Sequence, residues 1–577
     1  MLESGQKMRE ISIQQQQENR CANVAVDENF QNYLIDYLLD REIFEQRYPF
    51  VCVEPLGQNQ AVVYVEQNQL FTGESKEVNY NKVPRCYGLM ASQELEETGV
   101  MRVRRSPQFA LRGQGTLVGI IDTGIALTNP LFRYEDGTTK VRALWDQENQ
   151  EGKRPEGFPF GTQWEREEID QALKDNPGIL PGDEEGHGTF LAAIAAGRED
   201  SQSGFSGVAP DSELLVVRLK RPKKYLLDFY SIEDDVWACQ EDDVIMAIRY
   251  VLTMAMFFQK PVSICLGIGT NLGGHAGNGN LERYISASSL FPGVSFHIAA
   301  GNEGISGHHF HGEVPLGQNF QEVEFNVAEG EAGFVMELWG NAPVPFTVAL
   351  LSPGGERVER IQLKVDEFRR IHFFPEKTEL QIRSFIGETV GGEQVIRMNF
   401  RAPSAGIWKM EVYAAGEGNR SYDIWMPISN FLKEETFFLD ATATETVTSP
   451  GDAFYGITYV PYGVDNDSLY VRASQGYTRS GQVKPDLAAP GVNVEAALGN
   501  RTVNRSGSSV AAAFGAGIGA LMQEWAFTKF NDLSLNGQNM RYYLTQGAVQ
   551  SKGYTYPNRF WGYGMVNLYD AFLSMRR

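Results

Sequence analysis

The chain has 577 residues, too many for one ordinary hydrophobic core, so a large domain with one or two smaller ones is expected. Hydrophobic residues make up 42% and charged residues 21%, the balance of a globular protein, and 73 acidic against 51 basic residues give a formal charge of -22, which argues against nucleic acid or an anionic membrane as a partner. Five scattered cysteines, Cys21, Cys52, Cys86, Cys239 and Cys265, form no C-x-x-C pair and argue against a disulfide framework or a zinc ribbon.

In chain order, the opening "MLESGQKMREISIQQQQENR" is polar, with no apolar run that could serve as a signal peptide, and no later segment is expected to reach the length of a membrane span. A soluble protein made in a reducing compartment is the expectation. From Asn32 to about Leu70, "NYLIDYLLDREIF" and "AVVYVEQNQLF" read as strands flanking helical material, a compact α+β unit closed by the polar run "TGESKEVNYNK". From about Val83 short apolar strands bounded by glycine alternate with helical stretches: "GTLVGIID", "SELLVVRL", "KPVSICLG" and "GVSFHIAAG". Runs of this kind are what parallel strands covered on both faces look like, and "EDDVIMAIRYVLTMAMFF" has the spacing of a crossover helix between two of them. Between about Glu313 and Phe437, "QEVEFNVAEG", "GFVMELWG", "FTVALLSPGG", "EQVIRMNF", "GIWKMEVYAAG" and "SYDIWMPI" predict an antiparallel sandwich of jelly-roll type. "PGDAFYGITYV", "KPDLAAPG" and a long small-residue helix then return to the α/β texture, which makes the sandwich an insertion.

Three residues at element ends carry the candidate chemistry. Asp122 follows the apolar strand "TLVGII", at the edge where ligands gather in open α/β sheets, although D-T-G alone reads as well as a turn or helix cap. His187 in "GHGTFLAAIAAG" stands between two glycines, which let other backbone approach the ring. Ser509 in "SGSSVAAAFGAG" stands at the mouth of a helix, where free N–H groups and the positive end of the dipole suit an anionic intermediate; the same stretch also reads simply as the start of a buried helix. The order Asp, His, Ser is that of the subtilisin triad and differs from the chymotrypsin and α/β-hydrolase orders. It predicts Ser509 as nucleophile, His187 as general base and then acid, and Asp122 as the group that orients and stabilises the imidazolium. "HIAAGNEG" places Asn302 past a strand, where its amide could donate to an oxyanion together with the Ser509 backbone N–H, and "ICLGIGT" offers an edge on which an extended peptide could lie.

Together "GIIDTGI", "GHGTFLAAIAAG", "GVAPDSELLVVRL", "ICLGIG", "AAGNEG", "KPDLAAPG" and "SGSSVAAAFGAG" resemble the motif set of the subtilase serine proteases, in family order, over roughly Val83 to Leu573. Within that family the chain looks most like the Csp germination proteases of spore-forming bacteria. The resemblance implies an α/β subtilisin-like parallel-sheet domain in two parts, 82–312 and 438–577, a prodomain at 1–81 acting as intramolecular chaperone and inhibitor, and a jelly-roll insert at 313–437. It implies self-cleavage in the region of Tyr80, Asn81 and Lys82, with the prodomain held in cis. It also implies substrate contacts from Cys265, Leu266 and Gly267 and from Ala300 and Gly301, and a spore-cortex hydrolase zymogen as substrate. Against the family pattern, Ser508 replaces a threonine, Ala513 a proline and Cys265 a serine. No cofactor is expected: "GREDSQSGFSGVAP" matches the length of the family's calcium loop but carries Ser201 where an asparagine ligand is usual.

Other signals are set aside on chemical grounds. In "GHHFHG", His308, His309 and His311 have no carboxylate or cysteine at ligand spacing, so no zinc site is expected. "PGDEEGHG" reads as a solvated loop and "RLKRPKK" as the polar end of a strand. Two other readings stand beside an active germination protease: a non-catalytic Csp-like scaffold, which would have lost triad residues, and an active subtilase with another substrate, such as a secreted, gut-lumen or peptide-processing enzyme. A monomer, made in the cytoplasm and packaged in the spore with release on lysis, completes the expectation.

Overall fold

The computed structural model describes residues 30–36, 51–57, 60–66, 93–200, 204–362, 367–386, 392–416, 418–498 and 501–575, in two compact units, Met1–Leu89 and Met90–Arg577. In the first, Gln60–Glu66 lies between Phe30–Asp36 and Val51–Gly57, antiparallel to both. Val51, Cys52, Val53, Val63 and Val65 are buried, and only in the middle strand does a half-buried residue, Tyr64, alternate with the buried ones among the described residues. The expected helical stretch of this unit, the expected cut region Tyr80 to Lys82 and Ser201 lie outside the described residues. Cys52 is disulfide-bonded, whereas Cys239 and Cys265 are free.

The second unit is built on a nine-stranded sheet. Its parallel core runs Val141–Asp146, Glu213–Arg218, Leu117–Asp122, Val262–Leu266, Val294–Ala299, Ile457–Gly463 and Leu487–Pro490, with short antiparallel strands at the margins. All four predicted parallel strands are here, and the helix Glu241–Phe258 makes the predicted crossover from Glu213–Arg218 to Val262–Leu266. These strands are buried almost throughout, Ser263, Ser295 and His297 included, because helices cover both faces: Glu241–Phe258 and Asn280–Ser288 on one side, His187–Ala196 and Ser508–Gln523 on the other.

The helix Ser508–Gln523 lies so low on the sheet that a Cβ on Gly515 would come 2.4 Å from the Tyr459 ring, and one on Gly519 2.3 Å from His297 Nε2. Its glycines and alanines are the means of that approach. Continued to Thr528, this helix is long and apolar enough to cross a membrane, against the expectation that no segment reaches that length, and 89% of its apolar window is buried inside the fold.

Strands from His309–Glu313 to Phe437–Phe438 form two antiparallel sheets, of six and five strands, packed over one core containing Phe325, Phe334, Met398, Phe400 and Trp408. The six strands foreseen by alternation are present. Arg357–Ile361, Phe368–Phe373 and Thr378–Ile386 were not foreseen, because the first two expose most of their side chains and the last alternates polar residues through its apolar face. The outer face of the six-stranded sheet rests on the α/β part: Arg397 Nη2 and Asn399 Nδ2 both donate to Phe229 O, and the Trp425 ring stacks on His275 at 4.3 Å.

Behind the site, Lys484 Nζ meets Asp486 Oδ2 at 2.7 Å and Arg541 meets the other carboxylate oxygen, with Lys484 and Asp486 fully buried. Burial pushes the Lys484 ammonium down to about 8 despite this partner. Asp486→Ala, which strands a buried ammonium, is expected to destabilise the fold by about 3–5 kcal/mol, read as a lower denaturant midpoint.

Candidate active site

Asp122, His187 and Ser509 come from three elements and meet at the C-terminal edge of the parallel sheet. Asp122 is the last residue of Leu117–Asp122, His187 the first of its helix, and Ser509 the second residue of Ser508–Gln523. His187 Nδ1 is 2.7 Å from Asp122 Oδ1, and Nε2 is 3.0 Å from Ser509 Oγ. Asp122 is 1% exposed and the His187 side chain 27%, so the ring bridges a buried carboxylate and an accessible hydroxyl. Burial disfavours the imidazolium, but the Asp122 carboxylate outweighs it, and the His187 pKa is raised above the ordinary histidine value.

The glycines around His187 have separate uses. Gly186, before the helix, has φ +66°, and a Cβ on Gly188 would lie 2.3 Å from Gly124 O and 3.1 Å from Asp122 Cβ. A side chain at 188 would therefore push the helix off the Asp122 strand.

Sequence reasoning missed Asp183. Instead of a merely solvated acid, it accepts from the backbone of Gly186 and Thr189 and from the Thr189 hydroxyl at 2.6 to 2.9 Å. The Thr123 hydroxyl lies between Asp183 Oδ1 at 2.7 Å and Asp122 Oδ1 at 3.2 Å, and accepts from Gly188 N. One carboxylate thus caps the His187 helix and ties it to the Asp122 turn. The only signal in sequence was an acid four residues before the histidine.

Asn302 lies past Val294–Ala299, and its Oδ1 accepts from Ser508 N at 3.0 Å. That bond turns the amide nitrogen toward the serine: a Cβ on Gly507 would be 3.3 Å from Asn302 Nδ2 and 3.7 Å from Ser509 Oγ. With the Ser509 N–H at the first turn of the helix, two donors face the space over the hydroxyl. An acyl carbon attacked by Ser509 would put its oxygen there.

The expected substrate contacts divide. Cys265 and Leu266 are buried within Val262–Leu266, paired with Leu117–Asp122 on one side and Val294–Ala299 on the other, and burial pushes the Cys265 thiol well above its ordinary range. Ala300 and Gly301 also use their backbone groups inside the fold: Ala300 N donates to Tyr459 O, Ala300 O accepts from Thr448 N, and Gly301 N donates to Ser508 Oγ. Gly267, Ile268 and Gly269 make no backbone hydrogen bond among the described residues, and a Cβ on Gly267 would lie 3.1 Å from Ser509 Cβ. The open edge therefore starts at Gly267.

The histidines of "GHHFHG" do meet carboxylates, contrary to the reading by spacing. His308 Nδ1 is 2.7 Å from Glu303 Oε2, and His309 and His311 both reach Asp423 Oδ1, a residue more than a hundred positions away. His309, Asp423 and Glu445 bring one ligand atom each within 4.8 Å of one another, but Arg479 Nε already meets Asp423 Oδ2 at 2.8 Å, a cation supplied by the chain. The described part of the loop likened to a calcium site fits an ion no better. Arg104 Nη1 donates to Ser206 Oγ and Gly207 O, and Glu199 pairs with both Arg104 and Arg112. "RLKRPKK" is ion-paired within the fold, Lys220 to Asp243 and Lys224 to Asp234.

Comparison with known proteins agrees with this architecture. The chain is similar to the Clostridium perfringens CspB protease structure, with 27% identity and a TM-score of 0.74 over 84% of this chain and 98% of that one. It is 22% identical over 468 residues to C5a peptidase of Streptococcus pyogenes, and equally so to C5a peptidase of S. pyogenes serotype M6, covering 75% of this chain in both cases. The chain spans only 37% and 36% of the length of these two relatives. The pattern of the subtilase family of peptidases matches residues 113–329 and 388–564, well over half of the sequence, and breaks off only within the sandwich. Matched on both sides of that insertion and carrying its aspartate, histidine and serine in matched segments, the chain belongs to the subtilase family.

Proposed function

We propose that the protein is a serine endopeptidase. The observation that carries this reading is the continuous path Asp122–His187–Ser509, at 2.7 and 3.0 Å, beside an unpaired backbone edge. A peptide pairing with Gly267 to Gly269 brings its carbonyl carbon to Ser509 Oγ. His187 Nε2 takes the hydroxyl proton as Oγ attacks, and Asp122 holds Nδ1–H and favours the imidazolium that forms. Asn302 Nδ2 and the Ser509 N–H receive the oxyanion, and His187 then returns the proton to the leaving amine. A scaffold that does no chemistry has no need of this aligned proton path, so the non-catalytic reading is not favoured.

The finer assignments rest on the resemblance to the Csp germination proteases. In this reading residues 1–81 are a prodomain removed by self-cleavage between Tyr80 and Lys82 and held in cis. The sandwich is a jelly-roll brace on the catalytic part, and the substrate is the zymogen of a spore-cortex hydrolase, met in the spore by a monomeric enzyme without a cofactor. The Trp425–His275 stack supports the brace.

Purified wild type should be shortened by intact mass, whereas Ser509→Ala should stay whole; a shortened Ser509→Ala chain with unchanged wild-type-like activity would remove the serine from the mechanism. Asn302→Ala should lower kcat by about 10²–10³-fold with little change in KM. Because the neutral ring is the working base, activity falls as pH drops through the raised His187 pKa, so the acidic limb of kcat/KM should lie above the ordinary histidine range. Asp122→Asn removes the carboxylate that raises it and should move that limb to lower pH, with a loss of about 10⁴-fold in kcat.

A further inference from the structure

We infer that Glu303 is a positioning residue for the oxyanion donor Asn302: its buried carboxylate ties the residue beside Asn302 to two segments of the inserted sandwich and to the connection that follows the peptide edge. The inference rests on the protease reading given above.

Asn302 does not hold its own place through the main chain. It stands beyond the end of Val294–Ala299 and makes no backbone-to-backbone hydrogen bond among the described residues; its carbonyl has only a long contact, 3.5 Å, from the Ser306 hydroxyl. One bond orients the amide, from Ser508 N to Oδ1, and the rest of the anchorage lies in the neighbours. On one side Gly301 N donates to Ser508 Oγ and Gly301 O accepts from Ser474 N. On the other, Glu303 N donates to Ser474 Oγ and Gly304 N to Arg472 O, both at 3.0 Å, and the Glu303 side chain adds the farthest-reaching ties.

Glu303 is 5% exposed, and both of its carboxylate oxygens are occupied. Oε2 accepts from His308 Nδ1 at 2.7 Å and from Asn271 Nδ2 at 3.4 Å, and Oε1 accepts from the Ser429 N–H and the Ser429 hydroxyl, each at 3.0 Å. Asn271 follows the open edge Gly267 to Gly269, His308 immediately precedes the strand His309–Glu313, and Ser429 lies past Ser421–Trp425, the strand paired with it. Burial alone would raise the Glu303 carboxyl, but the bond from His308 and the other donors hold it below the ordinary range, so the group stands as a carboxylate. A buried carboxylate is costly unless all its lone pairs are met, and here they are met from three separate parts of the chain. An aliphatic side chain would pack at this position without fixing a direction, whereas a carboxylate with donors on both oxygens fixes the rotation of the segment as well as its place. The sandwich in this way sets where the Asn302 amide stands.

The test compares wild type, Glu303→Gln and Ser429→Ala, each also combined with Asn302→Ala, in kcat and KM on a fluorogenic peptide drawn from a site cut in denatured casein, with thermal unfolding to check that each variant folds. Glu303→Gln should lower kcat about 10–10²-fold and change KM less than about threefold. Ser429→Ala, which removes one donor and keeps the backbone N–H, should lower kcat by less, about fivefold. With Asn302 already replaced by alanine there is no amide left to place, so either change should then cost less than about twofold. A loss that is repeated in full in the Asn302→Ala background shows a merely structural role and overturns the inference, as does an unchanged kcat in a folded Glu303→Gln enzyme. If Glu303→Gln does not fold, the Ser429→Ala cycle decides by the same criterion. A wild type that cleaves neither casein nor the peptide overturns the protease reading and this inference with it, whereas an active wild type with additive losses overturns this inference alone.

Discussion

Between the helix Ser508–Gln523 and the strands beneath it there is no room for side chains at Gly515 and Gly519. That closeness sets the height of Ser509 over the sheet edge, and the rest of the site is arranged to meet it. The helix of His187 is brought equally close to the Asp122 turn by Gly188. With both helices drawn down onto one sheet, a single imidazole spans from a carboxylate in the sheet to a hydroxyl on the other helix. A methyl group at any of these contacts would lengthen that path, and a proton transfer depends steeply on such lengths.

The inserted sandwich is joined to this arrangement by stacking and charge rather than by a shared core. Trp425 covers the ring of His275, both of whose nitrogens face backbone oxygens, of Asn271 and Val447. Nearby, Asp423 collects His309, His311 and Arg479, whose contacts hold its carboxyl well below the usual range although burial alone would raise it. Arg479 comes from the α/β part of the chain and Asp423 from the sandwich, so the pair closes the seam between them. An indole against an imidazole and a guanidinium on a carboxylate are directional contacts, and they fix orientation where a greasy face would only fix proximity.

Local patterns made part of this legible in advance. Apolar runs bounded by glycine identified the parallel strands because strands covered on both faces have no alternation to show. Asp122, His187 and Ser509 could be found because each stands at the end of such an element, where chemistry collects. What stayed hidden depends on distant segments. Asp423 meets its histidines from across the sandwich. Asp183 looked solvated because an acid beside other acids in a glycine-bounded loop carries no period at all. Strands Arg357–Ile361 and Phe368–Phe373 were obscured by their own exposure, since residues that face water need not alternate.

His187 and Ser509 lie 322 residues apart, and the whole sandwich is made between them. A ribosome therefore releases the histidine, the cleft wall and the complete sandwich before the serine exists, and contacts of such separation are the slowest to close. Until Ser509 is made, Asp122 and His187 have no hydroxyl to activate. The position of the insertion thus sets an order: the residue that completes the site is made only after the histidine, the cleft wall and the whole sandwich.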